Sequence, residues 1–439
     1  MELKARYKIG IYLPNKQNGN VLLVNPEYGN PGVGGAQFLM FSLPFYLDKF
    51  YPNQYEVVFF AENEKSVACS FSVFEINNLT QAAILAKSQG CDLFIYRPAY
   101  NAENMDFLKE IERIQLKSIA WFHNTPFFLF KYLERNPYIV KCICVSRDQY
   151  EFLRDNKIIY KTELVYNALD VTKISSVFGA SKAKQVIFMG SITPDKGFHL
   201  IARMWPRILT VHPDAELLVI GSGKLYNNSQ ILGDIGIADS AYEKMFAKYI
   251  VDESGNLLPS VKFLGVLGSD KYEIMAKGCV GIPNHPYVRE SFCLAAAEFQ
   301  LCGTPVVTRN YGGVRDSVDN GKSGFLMQDL KGIEDKIISL LSDLELSKEM
   351  GKNGHRYVTS HYSWASITPR WNEVITNSIV NVSSNVIVDT IVSSSWKNRF
   401  REVLRKMKLT IPILNLFPSS LYFIHTVQFI RLRLERLFY

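Results

Sequence analysis

Strand-like apolar runs alternate with helix-like amphipathic runs along this chain, and the alternation starts twice. "YKIGIYL", "YEVVFFA", "CDLFIYRP", "KSIAWFHN", "YIVKCICVS" and "KTELVYN" occupy the first 170 residues, interleaved with segments such as "QAAILAKSQG", "ENMDFLKEIERIQ" and "SRDQYEFLRDNK". After the polar connector "VTKISSVFGASKAK" the pattern restarts with "QVIFMGS", "AELLVIGSG", "VKFLGVLG", "CVGIPNH", "TPVVTRN" and "GFLMQD". Alternation of this kind implies βαβ units and parallel sheets, and a chain of 439 residues is too long for one typical core. The reading is therefore α/β: two doubly wound domains, 1–172 and 173–362, facing a central cleft at the carboxyl ends of their sheets, where a ligand belongs in this fold class. A helix at 363–380 is expected to return to the first domain, and a Ser/Val/Asn-rich linker at 381–395 to lead into a tail at 396–439.

Composition narrows the class. The chain is 47% hydrophobic and 21% charged, as in a folded globular protein rather than a disordered one. Seven cysteines, an odd number without CxxC spacing, suggest neither a disulfide framework nor a zinc site. Cys142 and Cys144 read as small buried strand residues, and a reducing compartment fits. The opening "MELKARYKIGIYLPNKQ" holds no apolar stretch of secretory length, so a cytoplasmic location is expected. The net charge of +7 sits wholly in 396–439, where nine Lys/Arg face two acids; a charge so concentrated marks an interaction tail.

Three stretches carry candidate chemistry. In "GNPGVGGAQF", 29–38, glycines before an apolar helical run let backbone N–H groups approach a phosphate at a helix N-terminus, although a tight strand-to-helix turn uses the same glycines. In "FMGSITPDKGFHL" a strand ends at Gly190, and Lys196 and Gly197 open a helix, placing an ammonium to neutralise a diphosphate or merely to be solvated. In "RESFCLAAAE", 289–298, Ser291 is a candidate helix cap. Glu290 and Glu298 stand eight residues apart, roughly 12 Å along an ideal helix and about 80° around it, too far to share one proton. They are no acid/base dyad.

Taken in order, these pieces resemble the GT-B glycosyltransferases of family GT4, retaining enzymes that use nucleotide-sugar donors. The resemblance covers most of residues 8–375 and is densest from Gly190 to Met327, where "GSITPDKGFHLI", "LLVIGSG", "VKFLGVLG" and "RESFCLAAAEFQLCGTPVVTRNYGGVRDSVDNGKSGFLM" follow the family's order, including its E-x7-E signature. It implies that Glu290, in the loop before the helix, hydrogen-bonds hydroxyls of the donor sugar, and that Glu298 holds the ribose. The diphosphate would lie on the helix N-terminus between them, near Ser291 and the backbone N–H groups of Phe292, Cys293 and Leu294. Lys196 and the Gly34/Gly35 amides would stabilise the leaving β-phosphate, and His123 in "WFHNTP" would face the transferred sugar. Ser191 stands where the family commonly has an arginine on the diphosphate, so more of the charge falls to Lys196 or to Arg289. In "VYNALD", Ala168 replaces the glycine of the family's interdomain turn. The implied reaction is sugar transfer from a UDP- or GDP-sugar to an acceptor hydroxyl with no metal or other cofactor, the nucleotide sugar being a co-substrate.

The tail adds a location. "WKNRFREVLRKMK" puts Trp396, Phe400, Val403, Leu404 and Met407 at helical spacing amid basic residues, the pattern of a helix lying on an anionic membrane. The run 409–430 has no formal charge but holds two prolines and is flanked by basic clusters on both sides, which favours surface attachment over a crossing. Packing on the enzyme's own surface or on a second subunit is the alternative, and a homo-oligomer stays open. Membrane contact implies a lipid-linked glycan acceptor, as in lipopolysaccharide, O-antigen or capsule assembly on the inner face of the cytoplasmic membrane. No nucleic-acid partner is expected. A sugar-nucleotide 2-epimerase and a non-catalytic GT-B-like partner subunit are the competing readings; a dinucleotide oxidoreductase lacks its strand-linked GxGxxG.

Overall fold

The computed structural model describes residues 6–16, 21–99, 101–172, 178, 182–223, 231–283, 290–380, 396–411, 413–414 and 419–420. Arg289, the 381–395 linker and most of 409–430, all singled out above, lie outside them. The chain divides into two compact units: Met1–Gln17, Leu43–Tyr166 and Pro369–Tyr439 in the first, Asn18–Ser42 and Asn167–Thr368 in the second.

Seven strands build the sheet of the first unit: β1 (Tyr7–Leu13), β2 (Tyr55–Ala61), β3 (Ser72–Glu75), β4 (Leu93–Tyr96), β5 (Ser118–Phe122), β6 (Ile139–Cys144) and β7 (Thr162–Leu164). Their order is β3-β2-β1-β4-β5-β6-β7, and every pairing is parallel. The central strands are apolar almost without alternation because helices cover both faces; all four residues of β4 and all five of β5 are buried. Phe60, Phe94, Phe107 and Tyr96 interlock on one side, with the Tyr96 and Phe107 rings 4.4 Å apart. Cys142 and Cys144 are buried in β6, as expected, and burial pushes both thiols up in pKa. From Pro369 onward the helix Trp364–Val380 belongs to this unit: Trp371 packs edge-on against Trp121 at 4.6 Å, and Arg370 reaches Glu163 at 2.7 Å.

The second sheet holds β8 (Gln185–Met189), β9 (Glu216–Ile220), β10 (Val261–Gly265), β11 (Val280–Pro283), β12 (Val306–Arg309) and β13 (Gly324–Met327), in the order β10-β9-β8-β11-β12-β13, again all parallel. Phe198, at the start of the helix Phe198–Val211, meets Phe188, Phe246 and Phe263 edge-on within 5.0–5.4 Å. The helix Leu294–Leu301 is apolar nearly all round and correspondingly buried. Its run of alanines lets it lie close to the sheet, where the Phe299 ring fills the space beside Gly281.

Both sheets share one topology, in which the chain winds outward from a first strand, returns, and winds the other way. Strand order reverses between β1 and β4 in the first unit and between β8 and β11 in the second. Loops leaving the carboxyl ends of those strands diverge, and ligands bind in the resulting crevice. In the second unit the loop after β8 carries Lys196, and the segment after β11 carries Glu290.

Candidate active site

Lys196 closes a short 3-10 turn, Pro194–Lys196, and Gly197, at φ 74°, passes the chain into the helix Phe198–Val211. The helix thus begins two residues after Lys196 rather than at it. Ser191, read as a donor contact, is 2% exposed, its Oγ 3.0 Å from Oγ1 of Thr193. Lys196 Nζ donates to Oε1 of Glu290 at 2.5 Å, across 94 residues of sequence, with both side chains about one-fifth exposed. Switch-point topology therefore brings together the two charged groups that the sequence set on separate motifs.

Glu290 is held by its backbone. The N–H of Gly313 donates to the Glu290 carbonyl at 2.7 Å, and a Cβ on Gly313 would lie 1.9 Å from the Ser291 carbonyl oxygen, so only glycine lets the two loops touch. The sequence signal was the "GG" of "NYGGV", whose use as a brace for Glu290 no spacing reveals.

The helix that follows starts at Leu294, not at Ser291. Its N-cap is Cys293, and no side-chain hydrogen bond caps it, which corrects the expected Ser291 cap. The N–H groups of Leu294 and Ala295 consequently have no acceptor inside the helix, and the dipole leaves partial positive charge there. Cys293 is buried, and that burial, followed by the charge of Glu290, pushes its thiol up to about 12, so it is no nucleophile. Phe292 packs edge-on against Tyr362 at 5.0 Å and anchors the turn.

The glycine loop meets the same helix end. Asn30 Oδ1 accepts from the N–H groups of Gly32 and Val33, both at 2.9 Å, shaping a turn that leads into the helix Gly35–Phe50. A Cβ on Gly35 would lie 2.9 Å from Cδ1 of Leu294, whereas one on Gly34 would meet nothing within 4 Å among the described residues. Gly35 is thus a packing glycine, and Gly34 borders open space.

Glu298, further along the helix, is 9% exposed, and its Oε1 accepts from Lys271 Nζ at 2.8 Å and from the Tyr272 hydroxyl at 3.3 Å. Burial, reinforced by the Glu298 charge, raises the Tyr272 hydroxyl well above its ordinary pKa, so it stays a donor. Sequence reasoning missed Lys271 and Tyr272, which open the helix Lys271–Lys277 without any motif. Beside Glu298 lies a cavity of about 170 Å³ lined by Gly29, Asn30, Gly35, Tyr272 and Leu294, all residues of the second unit.

His123 lies in the first unit, one residue past β5. Its ring sits on Trp121 at 4.3 Å, and its Nε2 is buried without a hydrogen-bond partner among the described residues. Burial, then the positive charge of Arg97, lowers its pKa to about 3. The imidazole is neutral at any physiological pH, able to donate or accept one hydrogen bond but not to serve as a cationic acid.

The chain is similar to known glycosyltransferases. The family Glycosyl transferases group 1 matches residues 170–357, the stretch that holds Lys196, Glu290 and Glu298. The chain is 23% identical over 387 residues to N-acetyl-alpha-D-glucosaminyl L-malate synthase of Bacillus anthracis, spanning 80% of this chain and 94% of that protein. It is 27% identical over 201 residues to the capsular polysaccharide biosynthesis glycosyltransferase CapM of Staphylococcus aureus, covering 44% of this chain and 46% of CapM. Among solved structures, Anabaena Alr3699/HepE in complex with UDP and glucose superposes with a TM-score of 0.57 over 85% of this chain and all of that one; at 17% identity the likeness is one of fold.

Proposed function

We propose that this chain, a GT-B glycosyltransferase carrying a group 1 domain, moves a sugar from a UDP- or GDP-sugar to the hydroxyl of a lipid-linked glycan with retention at the anomeric carbon, at the inner face of the cytoplasmic membrane. The Lys196–Glu290 contact carries the proposal. A sugar and its β-phosphate are joined through a single oxygen, so the ammonium that neutralises the phosphate and the carboxylate that reads sugar hydroxyls must be neighbours. Glu298, about one turn into the short helix, is set to read the ribose at the other extremity of the donor.

In this reading the diphosphate lies on the uncapped start of the helix Leu294–Leu301, beside Ser291, Phe292, Cys293 and the Gly34/Gly35 amides. As the bond from C1 to the phosphate oxygen breaks, negative charge grows on the β-phosphate, and Lys196 and the helix N–H groups stabilise it. The acceptor oxygen bonds to C1 on the face the phosphate leaves, and its proton passes to the departing phosphate oxygen. No side-chain nucleophile and no metal take part. His123, neutral, hydrogen-bonds the transferred sugar. One relative's name supports a glycan acceptor: CapM is named for capsular polysaccharide biosynthesis.

A thermal-shift panel of UDP, GDP, ADP and CMP with their sugars, followed by transfer assays with Glu290→Gln, tests the proposal. One nucleotide class is expected to raise the melting temperature, Glu290→Gln to remove transfer, and the product to keep the donor's anomeric configuration by NMR. Unchanged turnover of the whole assembly with Glu290→Gln and with Lys196→Ala would instead make the chain a non-catalytic partner, and epimerised donor in the absence of acceptor would make it a 2-epimerase.

A further inference from the structure

The helix Trp396–Thr410 packs on the first unit the wrong way round for a soluble protein. At 100° per residue, Trp396, Phe400, Val403 and Met407 fall within about 60° of one another, and Arg401, Arg405 and Lys408 fall within about 60° on the opposite side. The charged side faces the protein. Arg401 is 3% exposed, with its guanidinium 4.5 Å over the Phe152 ring. Glu402, the helix's single acid, accepts from the fully buried Arg154 at 3.3 Å and from Arg405 Nε at 3.0 Å, and Lys408 Nζ donates to the Asp155 carbonyl at 3.1 Å. The apolar side faces out: Trp396 is 71% exposed, Phe400 51% and Val403 53%, and Met407 completes the exposed ridge.

On the inward, charged side of the helix opens a cavity of about 300 Å³ whose lining includes Arg154, Lys157, Tyr160, Lys161, Arg405 and Lys408. Glu134 and Asp155 also line it; the Asp155 carboxylate is engaged by the backbone N–H and the hydroxyl of Ser420. Burial holds the ammonium groups of Lys161 and Lys408 below their ordinary pKa, the Asp155 carboxylate opposing this for Lys408 and Lys157 adding to it. Lys161 Nζ donates to the Asn136 carbonyl at 2.7 Å, so this inward side is internally paired.

We propose that the outward face of the helix Trp396–Thr410 is a contact surface for an anionic lipid bilayer, its apolar ridge entering the headgroup boundary while the exposed cations beside it meet the lipid phosphates. Charge identifies the occupant. Exposed Arg399 and Lys406 flank the ridge, and the helix's one carboxylate is turned inward, so the presented face is apolar and cationic together, which matches a bilayer bearing anionic headgroups. A second copy of the chain is a poorer match, because a symmetric interface would bring these cations against their own copies. The inference shares the membrane location of the proposed function but rests on a surface of the first unit separate from the donor-site residues.

The test is co-sedimentation of the full chain with vesicles of phosphatidylcholine alone and of phosphatidylcholine with phosphatidylglycerol, for wild type, Phe400→Ser/Met407→Ser and Arg399→Glu/Lys406→Glu, alongside melting curves and analytical ultracentrifugation. Wild type should prefer the anionic vesicles and lose that preference in high salt. The serine pair should lower binding by about tenfold or more, and the glutamate pair should abolish the preference for phosphatidylglycerol. Unchanged vesicle binding in the serine pair overturns the proposal. In that case a lowered melting temperature would mean that the ridge is covered within the chain, and loss of a dimer that it is covered by a second copy. Glu290→Gln separates the two readings: it should remove transfer and leave vesicle binding intact, whereas a wild-type chain that binds vesicles but transfers nothing refutes the enzymatic reading alone.

Discussion

Gly313→Ala isolates the contact that holds Glu290 in place. Gly313 has φ −70° and ψ −9°, a conformation that alanine adopts freely, so the substitution carries no backbone strain of its own. Lowering the entropy of the unfolded chain would even favour it by about 0.4–1 kcal/mol. Against this, the new methyl carbon would stand 1.9 Å from the Ser291 carbonyl oxygen and 2.5 Å from its carbon. A close carbon–oxygen contact needs about 3.3 Å, so the loop carrying Glu290 and Ser291 must retreat by more than 1 Å. Overpacking against a fixed backbone costs about 1–3 kcal/mol, more than the entropic gain, and the net expected loss of stability is about 1–2 kcal/mol. The catalytic effect is larger, because a misplacement of about 1 Å at a reacting group can cost on the order of a hundredfold in rate. Melting curves and kcat measured together check both, with Gly34→Ala as control: a Cβ there meets nothing within 4 Å among the described residues, so its stability should be unchanged or slightly raised. If Gly313→Ala melts and turns over like wild type, the loop is not braced by this contact and the reasoning fails.

Three other substitutions address separate parts of the site. Lys271→Met leaves Glu298 buried without its ion partner and should cost about 3–5 kcal/mol by chemical denaturation, with Lys271→Met/Glu298→Gln recovering part of the loss; equal stability of the single variant and wild type would show the pair to be idle. Lys196→Ala removes one side of a partly exposed pair, so stability should change by less than about 1 kcal/mol while turnover falls by about a hundredfold or more; a large melting shift with intact kcat would contradict its assignment. For His123 the folded pKa, about 3, lies below the unfolded value of about 6.5. The unfolded chain therefore binds the proton first, and stability falls as pH drops from about 6.5 toward 3, by up to about 1.4 kcal/mol per pH unit. His123→Phe should flatten that part of the acid-denaturation curve, and an unchanged slope would show the ring to be solvated.

What could be read in advance follows from how far each determinant reaches along the chain. β4 and β5 announced themselves because strands covered on both faces must be apolar at consecutive positions, and that pattern is local. Lys196 and Glu290 could be named from their own loops, whereas their 2.5 Å contact follows from strand order, since parallel β8 and β11 are neighbours although β9 and β10 intervene in sequence. Lys271 was invisible because nothing near it marks a lysine as the partner of an acid 27 residues away. The tail shows the limit most sharply. Helical period separates its apolar side from its charged side, but period is symmetric with respect to which side docks. That choice is decided by Arg154, Glu151 and Asp155 on the first unit, where Glu151 already pairs with the buried Arg154 at 2.6 Å and Glu402 joins them. A buried arginine needs carboxylates more than a core needs another phenylalanine, so the helix turns its charges inward and leaves its apolar ridge to find another partner.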